Sequence, residues 1–205
     1  MDLTTLANAK QWLGIGSDTD DALLTRLIHA ASFFIETYLS RRLASQTYAE
    51  IRDGTGGRVM TFRESPVTAV SWVAVNGVSI PPAPDTVTPG YRFTRTQIIL
   101  QGHRFTLGYG NVTLNYTAGY AHSLPVGGWF EDPWLTDPAP EGTIPPLPFD
   151  LEQACIELIS WRYNERQHIG VSGKSLEGAN VTYSVQDLPP DVKTVLDRHR
   201  RVVPV

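Results

Sequence analysis

Leu147-Pro-Phe-Asp-Leu-Glu-Gln-Ala-Cys-Ile-Glu-Leu-Ile-Ser-Trp-Arg-Tyr-Asn-Glu-Arg166 is the stretch whose reading decides the fold. Pro148 and Asp150 are helix-start signals. On a 3.6-residue period, Gln153, Glu157, Ser160 and Asn164 gather on one narrow polar edge. Leu151, Ala154, Cys155, Leu158, Ile159, Trp161 and Tyr163 cover more than half of the circumference. A helix this apolar must pack against other helices, and an excess left after that needs a neighbouring chain to cover it. Arg162 lies inside the apolar arc, so it needs a partner or a route to water.

Working outward, the chain start supplies helices to pack against. Leu3 to Leu13 predicts a short helix, with Thr4 or Thr5 as its cap and Gly14 and Gly16 ending it. Asp18-Thr-Asp-Asp21 predicts the start of a long second helix, with acids at its positive end. Leu24, Leu27, Ile28, Ala31, Phe34, Ile35 and Tyr38 form its apolar stripe; Arg26, His29, Ser32, Glu36 and Ser40 lie off it. Near the end, Asp187-Leu-Pro-Pro-Asp191 opens a last helix, with prolines tolerated in its first turn. Val192, Val195, Leu196 and His199 give that helix one apolar edge.

Between these helical ends the period changes to two. Thr47–Asp53 predicts a strand, Gly54-Thr-Gly-Gly57 a hairpin turn, and Arg58–Phe62 the returning strand. Pro66–Val75 is the strongest strand, and Asn76-Gly77 a hairpin turn into Val78–Ile80. Tyr91–Phe93, Gln97–Leu100 and Val112–Tyr116 continue the sheet, with Gly102 and Gly108-Tyr-Gly110 as separators. Gly119 to Leu147 predicts a long loop rich in proline, glycine and aromatics. The fold class expected is α+β: a small α-helical bundle with an inserted antiparallel β-sandwich or barrel-like domain. The boundaries are residues 1–45 for the first helices, 46–118 for the β domain, 119–148 for the loop, and 149–205 for the last helices and tail.

Charge and motifs narrow the chemistry. A net charge of −4 gives no general attraction to nucleic acid. The single cysteine, Cys155, sits on an apolar helix and supports neither a disulfide framework nor a thiolate zinc site. No signal peptide and no membrane-spanning run are expected, which points to a soluble protein, intracellular where it is made. Gly173-Lys174-Ser175 resembles the end of a phosphate-binding loop, but His168 stands where the first glycine would be required, and the segment follows a helix. No nucleophile elbow, zinc-binding helix motif, calcium loop or dinucleotide fingerprint occurs. Hence no catalytic residue, metal site or cofactor is expected. Arg198-His-Arg-Arg201 and Val202-Val-Pro-Val205 form a basic, then apolar, arm. It is either a partner-binding arm or a solvated helix end complementing the dipole.

Three places together resemble the head–tail connector (adaptor, or head-completion) proteins of tailed bacteriophages. The first is Leu6-Ala-Asn-Ala-Lys-Gln-Trp-Leu13, with Asp18-Thr-Asp-Asp-Ala-Leu-Leu24 and the helix to Tyr38-Leu-Ser-Arg41. The second is Glu64-Ser-Pro-Val-Thr-Ala-Val-Ser-Trp-Val-Ala-Val-Asn-Gly77. The third runs from Leu147-Pro-Phe-Asp150 through Ile169-Gly-Val-Ser-Gly-Lys-Ser175 and Val181-Thr-Tyr-Ser184 to Leu188-Pro-Pro-Asp-Val192. The inserted sheet and the loop are larger than in the minimal helical members, and a phage-like gene transfer particle would carry a similar element. The resemblance implies a structural protein without catalysis. It implies a homo-oligomeric ring, usually twelvefold, at the virion neck below the portal, which extends the DNA channel and joins the head to the next neck or tail-completion protein. DNA would pass through the lumen without sequence-specific binding. On this reading Arg198, His199, Arg200, Arg201, Val202, Val203 and Lys174 are expected to bind the portal. Trp161, Arg162 and Arg166 are expected at the subunit interface, and Trp129 and Trp134 on the neck or tail side. Two other classes remain open at this point: a carbohydrate- or surface-binding β module using Trp129 and Trp134, and an enzyme whose site is not local in sequence.

Overall fold

A computed structural model describes residues 1–121, 144–166, 173–176, 179–182 and 188–200. The chain divides into two units, residues 1–42 with 147–205 and residues 43–146.

In the first unit, α1 is Leu6–Leu13, α2 is Asp21–Leu39, α3 is Phe149–Glu165 and α4 is Pro190–His199. Thr5 caps α1: its Oγ1 accepts from the Asn8 amide at 3.2 Å. Gly14, at φ 69°, ends that helix in the left-handed conformation open to glycine. The long helix starts at Asp21, three residues later than the acidic run suggests. Leu24, Ile28, Ala31, Ile35 and Leu39 of α2 are buried, as are Leu151, Ala154, Cys155, Leu158 and Ile159 of α3. Ser32, assigned to the polar side from sequence, is buried too, because its Oγ accepts the amide of Leu3 at 3.0 Å. That bond lets the chain start fold inward with Leu3 fully covered. Residues 173–182 hold a feature that turn signals did not reveal. Strand β8, Gly173–Leu176, pairs antiparallel with β9, Ala179–Thr182.

Numbering strands in chain order, the second unit has β1 at Gln46–Gly54, β2 at Val59–Thr61, β3 at Val67–Val75 and β4 at Val78–Ser79. It continues with β5 at Gly90–Phe93, β6 at Gln97–Gln101 and β7 at Gly108–Ala118. They form an antiparallel sheet ordered β1-β7-β3-β4 and a second ordered β2-β6-β5. The sheets share one core that includes Met60, Phe62, Val70, Val73, Ile98, Leu100, Phe105, Val112, Leu114 and Tyr116. This is a sandwich, with no hydrogen-bonded closure into a barrel among the described residues. Asn76 and Gly77, at φ 52° and 77°, make the tight turn expected of that dipeptide, and Val75 faces Val78 across it.

The expected hairpin at Gly54–Gly57 does not form. The strand before it pairs with β7, in register from Gln46↔Ala118 to Arg52↔Val112, and the strand after it pairs with β6. The glycines therefore carry the chain from one sheet to the other, a passage that a local turn signal does not distinguish from a reversal. Gly108-Tyr-Gly110 is likewise the beginning of the longest strand, not a separator.

Candidate functional site

Three helix ends meet in the helical unit at the base of the basic arm. His199 Nε2 lies 2.7 Å from Asp150 Oδ2, tying the end of α4 to the start of α3. Tyr38 Oη donates to Asp197 Oδ1 at 2.7 Å, and the Arg200 guanidinium sits 5.6 Å over the Tyr38 ring. The bond to the Asp197 carboxylate holds the Tyr38 hydroxyl above its ordinary pKa. The end of α4 is thus held at a fixed point. Arg198 is exposed beside it. Arg201, Val202 and Val203 lie outside the described residues, as do Trp129, Trp134 and residues 122–143 of the predicted loop. Lys174 belongs to β8, and its side chain is outside the described set.

The other arginines expected at an interface have partners inside the bundle. Arg162 stacks on Phe34, with its guanidinium 5.1 Å from the ring centre, which answers the need for a partner in the apolar arc. Burial lowers its pKa from the ordinary value. Arg166 folds back over Tyr163 at 3.7 Å and donates to that residue's own carbonyl. Trp161 is half-buried. Cys155 is buried, and desolvation pushes its thiol up to about 12, so it is a packing residue in reach of Ser32 and not a nucleophile.

One surface escaped the sequence reading. Asn8, Gln11 and Trp12 of α1 face Phe149, Glu152, Gln153 and Ile156 of α3 across an open groove of about 510 Å³. Trp12 is 54% exposed and Phe149 52%. Glu152 is buried in the groove wall, where Oε1 accepts from Thr4 Oγ1 at 3.2 Å and Asn8 Nδ2 at 2.8 Å. Only the spacing Phe149, Gln153, Ile156 on one helical face could have signalled it. On the β unit, Ala49, Asn115 and Trp72 form one uncharged cross-strand row on the outer face of the larger sheet. A register shift between Val70 and Trp72 turns both Ser71 and Trp72 outward.

Among the described residues, no three His, Cys, Asp or Glu side chains converge as a metal site. No described helix is long and apolar enough to cross a membrane. The described surface features are the tethered end of α4, the amphipathic groove and the uncharged cross-strand row of the larger sheet.

Comparison with known proteins fits surfaces of that kind. A search of curated proteins gives no match. Among solved structures, a chain in the virion of a native gene transfer agent particle matches with TM-score 0.51 at 20% identity, over 99% of this chain and 92% of that one. A chain in the neck of an empty particle, computed with C6 symmetry, matches with TM-score 0.50 at 20% identity, over 99% and 92%. One in the neck of a native particle, computed with C12 symmetry, matches with TM-score 0.50 at 19% identity, over 98% and 90%. These likenesses concern the fold. The family described as head completion protein matches residues 2–202, so that helices, β unit and arm base all fall within one match, and the chain belongs to that family.

Proposed function

We propose that this chain is a structural adaptor of the head–tail junction. Copies assemble as a ring beneath the portal, continue the DNA channel and offer a surface to the next neck or tail-completion protein. The observation that carries this reading is the family match over residues 2–202, in a chain whose fold resembles chains of gene transfer agent necks. Its net charge of −4 suits a channel in which DNA slides. A strongly basic lumen would gain affinity with each neutralised phosphate and slow the duplex.

Within this reading the arm is the portal-binding element. His199 and Arg200 lie at its base, and they, Arg198, residues 201–203 and Lys174 of β8 are the portal-contacting set. Trp161, Arg162 and the exposed Arg166 lie beside the neighbouring subunit, with Arg162 steadied by Phe34 and Arg166 by Tyr163. The β unit and the loop bearing Trp129 and Trp134 face the neck or tail.

The test is the mass of the purified protein in solution, with and without isolated portal rings. Co-migration at one copy per portal subunit is expected. Deleting residues 201–205, beyond the His199–Asp150 tether, should abolish it and give heads that package DNA and then lose it. A strict monomer that ignores the portal at concentrations well above those of assembly overturns the reading.

A further inference from the structure

The helical unit carries two surfaces for which the described chain gives no occupant. One is the groove between α1 and α3. The other is the outward stripe of α2, where Leu23, Arg26, Ala30 and Phe33 recur at helical spacing and are all exposed. Phe33 is 72% exposed, well above what a helix core position shows. Arg26 has no carboxylate partner among the described residues, and Glu152 in the groove has no cation partner among them.

A ring built by rotation needs a head-to-tail contact, in which each copy presents two different surfaces that fit one another. We propose that these are the two surfaces: the α2 stripe of one copy docks in the α1–α3 groove of the next. Phe33 enters between Trp12, Phe149 and Ile156, and Arg26 approaches Glu152. The inference rests on the ring reading above and names the surfaces that close the ring.

Two features of fit support it. The first is length. Phe149 to Ile156 is seven residue steps of helix, as is the Arg26–Phe33 part of the stripe, so the floor and that part of the stripe are each about 10.5 Å long. An open-sided groove taking anchors at i, i+4 and i+7 is the way an amphipathic helix is held by a partner. The second is charge. Glu152 is buried with only neutral donors on Oε1, and an incoming guanidinium would supply the opposite charge. Trp12 and Phe149 are aromatic anchors of the kind that dominate interface energies.

The experiment is disulfide trapping in full-length protein assembled on isolated portal rings, with rings verified by electron microscopy. Phe33→Cys is combined with Gln153→Cys, a groove position. Native Cys155 is buried and stays out of the reaction. Oxidation should yield a ladder of dimers, trimers and higher multiples in the double variant only. Rings without a ladder overturn the inference and leave the adaptor reading standing. Dimers from Phe33→Cys alone mean that two α2 faces meet, and a cross-link from that single variant to the portal means that the portal is the occupant; either outcome overturns it. A protein that forms no rings on the portal fails the adaptor reading itself. As a second readout, Phe33→Asp should keep its far-UV circular dichroism, because the side chain is exposed, and lose ring formation by about tenfold or more.

Discussion

Replacing Tyr116 by phenylalanine should destabilise the β unit far more than the loss of one hydroxyl suggests. Tyr116 is fully buried, and its Oη donates to Glu50 Oε1 at 2.5 Å while accepting from the Glu64 amide at 3.1 Å. Burial, and then the bond to Glu50, raise the phenol's pKa well above its ordinary value, so the hydroxyl stays protonated as a donor. Glu50 is 8% exposed; its Oε2 has no hydrogen-bond partner, and Arg52 Nη1 lies 3.9 Å away. Removing the phenol strips the carboxylate of its short charge-assisted bond. A hydrogen bond to a charged group contributes about 1.5–3 kcal/mol, and orphaning a buried carboxylate adds to that. Tyr116→Phe should therefore cost about 2–4 kcal/mol. Glu50→Gln keeps an acceptor for the phenol and should cost about 1 kcal/mol. The pair Glu50→Leu with Tyr116→Phe, which removes both polar ends, should cost less than the sum of its single changes by at least 1 kcal/mol on the order-of-magnitude scale of contacting residues. Because the chain has two units, a global melt need not be two-state. The assay is hydrogen exchange of the β7 amides from Leu114 to Ala118, read as an opening free energy. A change below about 0.5 kcal/mol in Tyr116→Phe, or strict additivity in the pair, would refute the reasoning.

Two further outcomes follow from packing. Cys155 should resist thiol reagents in the folded protein at pH 8 and react on unfolding. Its folded pKa is raised from 9.0 to about 12, so the stability tied to the neutral thiol is complete below pH 9 and lost as pH rises toward 12; Cys155→Ala should flatten that part of the stability–pH curve, by no more than about 4 kcal/mol. Gly54→Ala should lower the melting temperature of the β unit, since an added Cβ would stand 1.7 Å from the Thr106 carbonyl oxygen, and the backbone must shift at a cost of about 1–3 kcal/mol. An unchanged melting temperature there would mean that the close approach of the two backbones is wrong.

The helices were legible because their information is local. A cap such as Thr5, a stop such as Gly14 and a stripe such as Leu24–Ile28–Ala31–Ile35 all act within a few residues. The partner of Arg162 was legible only as a need; that Phe34 of α2 fills it depends on how two helices 128 positions apart in sequence are packed. Strands were found by alternation, and the Asn76-Gly77 turn by the φ values it demands. Pairing was another matter. The first strand alternates just as well against β2 as against β7, because period two fixes which face is buried and says nothing about which neighbour supplies the hydrogen bonds. The deciding features are distant: an eleven-residue β7 long enough to flank both β1 and β3, and the Tyr116–Glu50 bond that matches the two inner faces.

The candidate site divides along the same line. Arg198, His199 and Arg200 were visible as a charge run, yet a charge run does not say which members are spent at home. His199 is tied to Asp150 and Arg200 lies on Tyr38, so both already have contacts within the helical unit, which the run of charges does not reveal. The groove was invisible for the opposite reason. Trp12 and Phe149 each look like ordinary core residues in sequence, and only the packing of α1 on α3 leaves them half open with Glu152 between them. Charge patterns therefore overstate how many basic residues are free to bind, and apolar patterns understate how many hydrophobic residues are. For a chain that works by assembly the second error matters more, because an uncovered aromatic side chain contributes more to an interface than an exposed ion pair does.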